Sequence, residues 1–268
     1  MPNTRITSRD NSLLRQFRAV REGKIENLIF VEGLRLCEEA LRSGLSIDAV
    51  VYSEQLAEKE KAAGVVGEIS SAAQRVGAVS EKLLESISYT KTPQGIVLLA
   101  QRPDSTKAVL NSVIRDSPLL IVMHRINNPV NVGAIIRTAE AAGASGAVAT
   151  ANTSDPFSPK SLRGAMGSAF RLPIWSGPTY EEAVRFCRER NIETVCADAT
   201  GEKSFTELDW STGRAVILGP ESTGLSQSEI EAADVSVRIP MKGLVESLNV
   251  SVAAGILLYE AARQRARQ

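Results

Sequence analysis

The 268-residue chain has few of the residues on which many catalytic sites depend. It contains one histidine, His124, and three cysteines, Cys37, Cys187 and Cys196, without a Cys-x-x-Cys pair. A disulfide framework and a cysteine-ligated zinc site are therefore not expected, and we expect no metal site. A mechanism that needs two histidines is excluded. A Ser-His-Asp triad would have to use His124, which has no Gly-x-Ser-x-Gly turn near it.

The chain also lacks an excess of charge and any long apolar run. Lys and Arg total 31, as do Asp and Glu, so the formal net charge is zero and only a local basic surface is left open. No run approaches the ~18 apolar residues of a membrane span, and the N-terminus has no apolar signal-peptide core. We therefore expect a cytoplasmic protein without membrane contact. The clearest local basic excess lies in residues 1–25, which suit either a solvated arm or contact with phosphates, and Arg263, Arg265 and Arg267 form a basic C-terminal tail.

Apolar runs that alternate with amphipathic segments predict an α/β fold. In residues 1–102 we predict an α/β sandwich domain with strands at 28–31, 47–53, around Val79 and at 95–102. Its helices are predicted at 33–44, at 55–64 with an end at Gly64, and at 80–86. The polar stretch that begins at Pro103 predicts a linker over 103–117.

Residues 118–268 show a second α/β pattern. Strands are predicted at 118–123, 146–150, 193–198, 215–219 and 235–240, and helices at 131–142, 158–168, 179–190, 226–233 and 248–265. The last three strands are continuous apolar or β-branched runs, which are typical of a buried parallel sheet. Because ligands of such sheets bind beyond the carboxyl ends of strands, three polar clusters at those places are candidate site residues.

The first cluster follows the strand at 118–123. We expect Pro129 to prevent an early helix start and Asn131 to cap the helix. Arg137 then stands in an otherwise apolar helix, where it either serves a ligand or forms a surface pair with Glu140, worth a few tenths of a kcal/mol.

The other two clusters follow the strands at 215–219 and 235–240. One is a Gly-Pro-Glu-x-x-Gly loop with the lone carboxylate Glu221, which is either a plain turn or a site loop and has no P-loop pattern. In the other, Ser247 is a candidate helix cap, and Asn249 in the first turn is poorly explained by helix propensity.

Together the clusters resemble the SpoU (TrmH-type) branch of the SPOUT RNA methyltransferases. The family's three signatures occur in order: Asn-x-Gly-x-x-x-Arg at 131–137, Gly-x-Glu-x-x-Gly at 219–224, and the stretch from Pro240 to Ser-Leu-Asn at 247–249. This likeness covers residues 118–264. Residues 8–100 resemble, more softly, the L30e-like substrate-binding domain, through residues 30–44 and 88–100, with Glu32-Gly33 and the run at 90–95.

The resemblance implies a mostly parallel C-terminal sheet with a trefoil knot, and a homodimer with its active site near the subunit boundary. It implies S-adenosylmethionine (AdoMet) as cofactor and methyl transfer to a ribose 2′-hydroxyl of RNA, with ribosomal RNA favoured over tRNA. The residues it implies for AdoMet binding are Thr200, Leu218, Gly219, Ile239, Met241 and Leu248. The residues it implies for catalysis are Asn131, Arg137, Glu221, Ser247 and Asn249.

Within these roles, Arg137 is either the proton acceptor or an electrostatic clamp, and the high pKa of arginine favours the clamp. Glu221 would orient Arg137 or hold the loops, and the neutral side chains would fix ribose and cofactor. His124 receives no catalytic role. Two alternatives remain open, namely a non-catalytic RNA-binding or ribosome-assembly protein of this fold and a small-molecule enzyme with a nucleotide cofactor.

Overall fold

The computed structural model describes residues 4–266 and divides into two compact units. Unit 1 comprises Met1–Pro103 and Phe157–Phe170, and unit 2 comprises Asp104–Pro156 and Arg171–Gln268. In the described part of the chain, no helix is both long and apolar enough to cross a membrane. Arg267 of the basic C-terminal tail lies outside the described residues.

Unit 1 contains one five-stranded sheet in the order β1-β4-β3-β5-β2. Its strands are β1 (Thr4–Arg5), β2 (Leu28–Glu32), β3 (Ile47–Ser53), β4 (Arg75–Val79) and β5 (Ile96–Gln101). The pairs β1–β4 and β3–β4 are parallel, whereas β5 runs antiparallel to both β2 and β3. The first four strands therefore end at the same edge of the sheet, where β5 begins.

The helices of unit 1 cover the sheet with their apolar faces. They are α1 (Ser12–Arg21), α2 (Leu34–Arg42), α3 (Glu54–Ala57), α4 (Glu60–Ala72), α5 (Glu81–Ile87) and α8 (Pro159–Ala165). Phe17 of α1 meets Phe30 of β2 edge-to-face, with ring centroids 6.3 Å apart. The predicted helix end at Gly64 is wrong, because α4 continues to bury Val66 and Ile69, and that packing outweighs the low helix propensity of glycine.

Unit 2 contains a seven-stranded sheet in the order β10-β12-β9-β11-β6-β7-β8, and every neighbouring pair is parallel. Its strands are β6 (Leu119–Met123), β7 (Gly146–Ala149), β8 (Ile174–Ser176), β9 (Glu193–Ala197), β10 (Lys203–Ser204), β11 (Arg214–Leu218) and β12 (Val235–Arg238). Of the three strands expected to be buried, only β11 is buried along its whole length, whereas β9 is buried at its three central residues and β12, next to the edge strand β10, only at Val237. Strands β6 and β7 are also buried throughout. The short strands β8 and β10 were not predicted.

The helices of unit 2 are α6 (Lys107–Val113), α7 (Pro129–Ala141), α10 (Tyr180–Arg188), α11 (Gln227–Ala232) and α12 (Val250–Arg265), with a 3-10 turn at Phe205–Glu207. The short helix α9 (Ser168–Arg171) crosses the boundary between the units in sequence. Helix α6 lies inside the segment predicted as a linker. Its Leu110 is completely buried in the core of unit 2, so this part of the segment belongs to the domain.

Two predicted helix starts are wrong by a few residues. Helix α7 begins at Pro129, and Asn128 rather than Asn131 is its N-cap, because proline fits the first turn where no backbone donor is required. Helix α12 begins at Val250, and Asn249 rather than Ser247 caps it by accepting a hydrogen bond from the Ser251 N–H. Neither Asn131 nor Ser247 therefore caps a helix.

Candidate active site

A cavity of about 910 Å³ opens at the carboxyl ends of β9, β11 and β12 and beside the start of α7. All three clusters singled out in the sequence reach it, because the loops that follow parallel strands all begin at the same edge of the sheet. Its polar lining includes Asn127, Asn128, Asn131, Asp198, Glu221, Ser222, Thr223, Glu246, Ser247 and Asn249. Its lining also includes Leu218, Gly219, Val237, Ile239, Met241 and Leu248.

Glu221 joins the β11–α11 loop to the start of α7. Its carboxylate accepts hydrogen bonds from the Asn127 N–H at 3.2 Å, the Asn128 N–H at 3.3 Å and the Asn131 Nδ2 at 3.1 Å. Burial raises the pKa of Glu221, but these bonds and one from its own backbone outweigh burial, so the pKa lies below its usual value. Glu221 is therefore ionised, and its hydrogen bonds hold two walls of the cavity together.

Asn131 extends this contact to the third cluster. It is 7 % exposed, and its Oδ1 accepts a hydrogen bond from Asn249 Nδ2 at 3.3 Å. The Oδ1 of Asn249 in turn accepts from the backbone N–H and the hydroxyl of Ser251. One hydrogen-bonded chain, Glu221–Asn131–Asn249, thus connects the three segments that the sequence analysis singled out.

Five of the six residues implied for cofactor binding line the cavity: Leu218, Gly219, Ile239, Met241 and Leu248. Thr200 does not line it, and its hydroxyl donates to Asp198 Oδ1 at 2.5 Å. Asp198 lines the cavity instead and is a residue that the sequence analysis missed. The sequence did contain a signal for Asp198, because it is a carboxylate directly after the parallel strand β9.

Gly219 allows two stretches of backbone to approach closely at the cavity wall. A Cβ atom at this position would lie 2.8 Å from the Leu225 N and 3.0 Å from the carbonyl carbon of Gly224. No larger residue fits without movement of the loop that carries Glu221. The glycine of this motif is therefore required by packing.

The charge of the cavity has one sign. Asp198, Glu221 and Glu246 contribute carboxylates, whereas the described lining contains no Lys, Arg or His. Such a lining disfavours a phosphate-bearing cofactor and favours a ligand with positive charge. Among the described residues, no group of three or more His, Cys, Asp or Glu side chains could hold a metal ion.

Arg137 is not part of the cavity of its own chain. It lies on α7 six residues after Asn131, is exposed, and makes no hydrogen bond or ion pair within residues 4–266. The alternative of a pair with Glu140 is wrong, because Glu140 accepts hydrogen bonds from Arg171 at 2.6 and 3.0 Å. Asn131, Glu221, Ser247 and Asn249 are thus brought together without Arg137.

His124 lies in a buried network behind the cavity. Its Nδ1 is 3.0 Å from the Thr150 hydroxyl, its Nε2 is 3.0 Å from Glu229 Oε1, and Arg125 contacts both His124 and Glu229. Burial lowers the pKa of His124, although Glu229 opposes the effect. The network joins the end of β6 to α11.

Comparison with known proteins identifies the class. Residues 118–259 match the SpoU rRNA Methylase family, and residues 13–98 match the MRM3-like substrate binding domain. The chain therefore belongs to the SpoU family, as its motifs predicted, and the α/β fold class is confirmed.

Individual relatives extend over nearly the whole chain. A Sinorhizobium meliloti rRNA methyltransferase with bound AdoMet is 30% identical, covers 97% of each chain and superposes with a TM-score of 0.84. AviRb from Streptomyces viridochromogenes, also with AdoMet, is 27% identical over 96% of this chain and 98% of its own, with a TM-score of 0.85. The 23S rRNA (guanosine-2'-O-)-methyltransferase RlmB of Bordetella pertussis is 30% identical over 80% of this chain and 89% of its own.

Proposed function

We propose that this chain is an RNA methyltransferase that uses AdoMet to methylate a ribose 2′-hydroxyl of ribosomal RNA. Family membership, two similar structures with bound AdoMet and the name of the RlmB relative support this proposal. The observation that carries it is the cavity, where the three family signatures meet around carboxylates without an opposing cation.

The cavity suits AdoMet in both its apolar lining and its charge. Leu218, Ile239, Met241 and Leu248 offer apolar contacts for the adenosine, and the tight turn at Gly219 brings backbone groups to its edge. Asp198 and Glu221 suit the positive sulfonium and amino groups. When bound, AdoMet supplies an electrophilic methyl group. We therefore assign AdoMet contact to the residues predicted from the motifs, except that Asp198 replaces Thr200.

The protein must orient and activate a weak nucleophile. A ribose hydroxyl gains reactivity when its developing negative charge is stabilised and its oxygen is aligned with the methyl group. Ser247 lines the cavity and makes no hydrogen bond in the described structure, so its hydroxyl is available to the ribose. Asn131 donates to Glu221 and accepts from Asn249, and the two asparagines fix the walls against which the ribose would lie.

Arg137 would supply the positive charge that the cavity lacks. Because arginine is a poor proton acceptor, we assign Arg137 to the phosphate and the developing alkoxide, and the proton of the ribose hydroxyl would pass to water. Because Arg137 does not reach the cavity of its own chain, we propose that a second copy of the chain provides it.

Exposed apolar residues support a homodimer. Val130 of α7 and Val252 and Tyr259 of α12 are 44 %, 50 % and 55 % exposed, and these two helices pack against each other. Leu244 and Val245, in the loop beside the cavity, are also exposed. A second copy packed on this surface would cover these side chains and bring its own Arg137 near the cavity. The C-terminal trefoil knot and a cytoplasmic location remain predictions alongside the dimer.

The test is methyl transfer by the purified chain to ribosomal RNA from cells that lack the gene. We expect one new 2′-O-methyl nucleotide, and the Arg137→Ala variant should lose the transfer while its AdoMet affinity stays within about tenfold, or ~1.4 kcal/mol. AdoMet affinity is measured by titration calorimetry. No heat with AdoMet and no methylated nucleotide would favour a non-catalytic RNA-binding protein, and normal turnover by Arg137→Ala would refute the role of Arg137.

A further inference from the structure

A charged cluster outside the cavity joins the same two loops that Glu221 joins. They are the β6–α7 loop, residues 124–128, and the β11–α11 loop, residues 219–226. Glu229, in the first turn of α11, accepts a hydrogen bond from the Arg125 guanidinium through Oε1 and one of 2.7 Å from the Ser226 N–H through Oε2. In the described part of the chain, neither Arg125 nor Glu229 lines the cavity. The two loops are therefore joined once at the cavity and once behind it.

Arg125 has a backbone conformation that residues other than glycine rarely adopt. Its φ angle is +52°, in the left-handed region. The Arg125 N–H donates to the Thr150 hydroxyl at 3.3 Å, its Nε donates to His124 Nε2 at 2.7 Å, and its Nη2 donates to Glu229. A strained residue of this kind persists only where its surroundings fix it, and such residues cluster at functional sites. The cluster therefore maintains a strained turn in a loop that lines the cavity.

His124 is the fixed support of this contact. It is 5 % exposed, its N–H donates to the Leu218 carbonyl oxygen at 2.9 Å, and its Nδ1 lies 3.0 Å from the Thr150 hydroxyl. Because an arginine Nε only donates, the His124 Nε2 accepts and carries no hydrogen, so the ring is neutral. The Glu229 Oε1, 3.0 Å from this Nε2, is an acceptor too. Two acceptors repel each other, and the Arg125 guanidinium, which donates to both, holds them together.

The geometry of Glu221 depends on the distance between the two loops. Its contacts with the N–H groups of residues 127 and 128 measure 3.2 and 3.3 Å, at the long end of the usual range of about 2.7–3.2 Å. These donors follow the turn at Arg125, and the loop that carries Glu221 ends at Ser226, which Glu229 holds. A shift of about 0.3 Å between the loops would lengthen the longer contact to about 3.6 Å, which is no longer a hydrogen bond.

We propose that Arg125 and Glu229 are positioning residues for the methyl transfer, because their contact sets the separation of the two loops and thus the geometry of Glu221. The inference rests on the proposed function for the reaction itself. Neither residue lines the cavity, so both act through the Glu221–Asn131–Asn249 chain. The reaction requires alignment of the ribose oxygen with the methyl group, and a misplacement of about 1 Å can lower a rate roughly a hundredfold.

The experiment measures methylation of ribosomal RNA from cells that lack the gene, with saturating AdoMet and the full-length chain. Arg125→Gly removes the guanidinium and keeps the turn, because glycine adopts a positive φ without strain. Glu229→Gln keeps an oxygen for the Ser226 N–H and turns an NH₂ group toward Arg125. Each variant should lower kcat about tenfold, whereas KM for RNA and the AdoMet affinity from calorimetry should stay within about threefold. The double variant should be as slow as the single variants, because all three lack the same contact.

Two controls match these variants. Glu182→Gln alters the capping box that Glu182 forms with Thr179 at the start of α10, just as Glu229→Gln alters the one at the start of α11. Arg188→Ala removes a cation that donates to the Ala232 carbonyl oxygen at the other end of α11. Both controls leave the two cavity loops joined and should keep the wild-type kcat.

The contact also has a signature that does not depend on activity. In a proton NMR titration, the single histidine of the untagged chain should show a higher pKa in Arg125→Gly, because a neighbouring positive charge is lost. Its pKa should fall in Glu229→Gln, because a neighbouring negative charge is lost. An unchanged pKa of His124 in both variants would show that the contact does not exist in solution and would overturn the proposal.

The kinetic outcomes that overturn the proposal are equally definite. One is a wild-type kcat in either single variant while the wild-type chain is active. Another is a double variant that shows the product of both single losses, because the two residues would then act separately.

If the wild type methylates no ribosomal RNA, the proposed function fails separately, and thermal unfolding decides the inference. Glu221→Gln should then lower the unfolding midpoint less in the Arg125→Gly background than in the wild type, because the two connections between the loops are coupled. Equal decreases in both backgrounds would show that the contact does not set the geometry of Glu221, and the inference would be wrong.

Discussion

Replacement of Glu221 by glutamine should weaken unit 2 by a calculable amount. The carboxylate accepts from Asn128 and Asn131 through Oε1 and from Asn127 through Oε2. Glutamine keeps one acceptor oxygen and turns an NH₂ group toward a donor, so at least one hydrogen bond to a charged group is lost. Such bonds contribute about 1.5–3 kcal/mol, and because Glu221 is exposed and water competes, we expect a loss of about 1–2 kcal/mol.

The assay can report unit 2 alone, because both tryptophans of the chain, Trp175 and Trp210, lie in it. The loss corresponds to a decrease of roughly 2–8 °C in the midpoint of thermal unfolding followed by tryptophan fluorescence at pH 7. The difference must depend on pH with a definite sign. The folded-state pKa of Glu221 lies below its ordinary 4.5, so the stabilisation is present above pH 4.5 and is lost as the pH falls through the folded-state pKa.

The matched control is Glu246→Gln. Glu246 lines the same cavity but makes no hydrogen bond or ion pair within the described residues, so its replacement should leave the unfolding midpoint unchanged. The midpoints of the wild type and Glu221→Gln should converge only as the pH falls below the folded-state pKa of Glu221, where a protonated Glu221 resembles glutamine. Equal unfolding midpoints of the wild type and Glu221→Gln at pH 7 would refute the stabilising role of the Glu221 carboxylate. A difference in midpoint that persists below the folded-state pKa would refute it as well.

Two further predictions concern the walls of the cavity. Gly219→Ala should lower AdoMet affinity at least tenfold in calorimetry, because its Cβ would meet the Leu225 backbone. Gly255→Ala is the control and should keep the wild-type affinity, because its Cβ would lie 3.8 Å from Thr138 in ordinary contact. Equal AdoMet affinities of the two variants would contradict the close approach at Gly219. Burial lowers the pKa of His124, so in a proton NMR titration its midpoint should lie below the ordinary 6.5. His124 is the only histidine of the untagged chain, so its signal needs no assignment. The unfolded chain then binds this proton first, so the contribution of His124 to stability is full above pH 6.5 and declines as the pH falls toward its folded-state pKa; a midpoint at or above 6.5 would contradict this.

The sequence predicted the elements whose pattern is strong. Strand 47–53 has the predicted bounds, and the apolar runs of unit 2 form the expected parallel sheet, because a strand buried on both faces needs apolar residues throughout. The meeting of the three clusters was also predictable, since loops that follow adjacent parallel strands share one edge. The order of the strands was not, because it depends on contacts between distant segments.

Local signals failed where tertiary contacts decide. The segment 103–117 opens with polar residues, but its apolar residues Val109, Leu110, Val113 and Ile114 stand at helical spacing, and Leu110 lies in the core of unit 2. Thr200 and Asp198 are two residues apart, and it is the fold of the loop after β9 that places Asp198 and not Thr200 in the cavity lining. The exposure of Arg137 likewise depends on the tilt and rotation of α7, which its sequence does not specify.

The absence of Arg137 from its own cavity leads to a test with mixed dimers. Arg137→Ala keeps an intact cavity, and Gly219→Ala keeps an intact arginine, so at an AdoMet concentration too low to load Gly219→Ala each homodimer should transfer little methyl. If a second copy supplies the guanidinium, a dimer of one chain of each kind regains one complete site. An equal mixture after exchange of subunits should then recover about one quarter of the wild-type rate, because a two-fold dimer has two equivalent sites. If Arg137 instead serves its own chain, no mixed dimer contains a complete site, and the mixture should stay as inactive as its components.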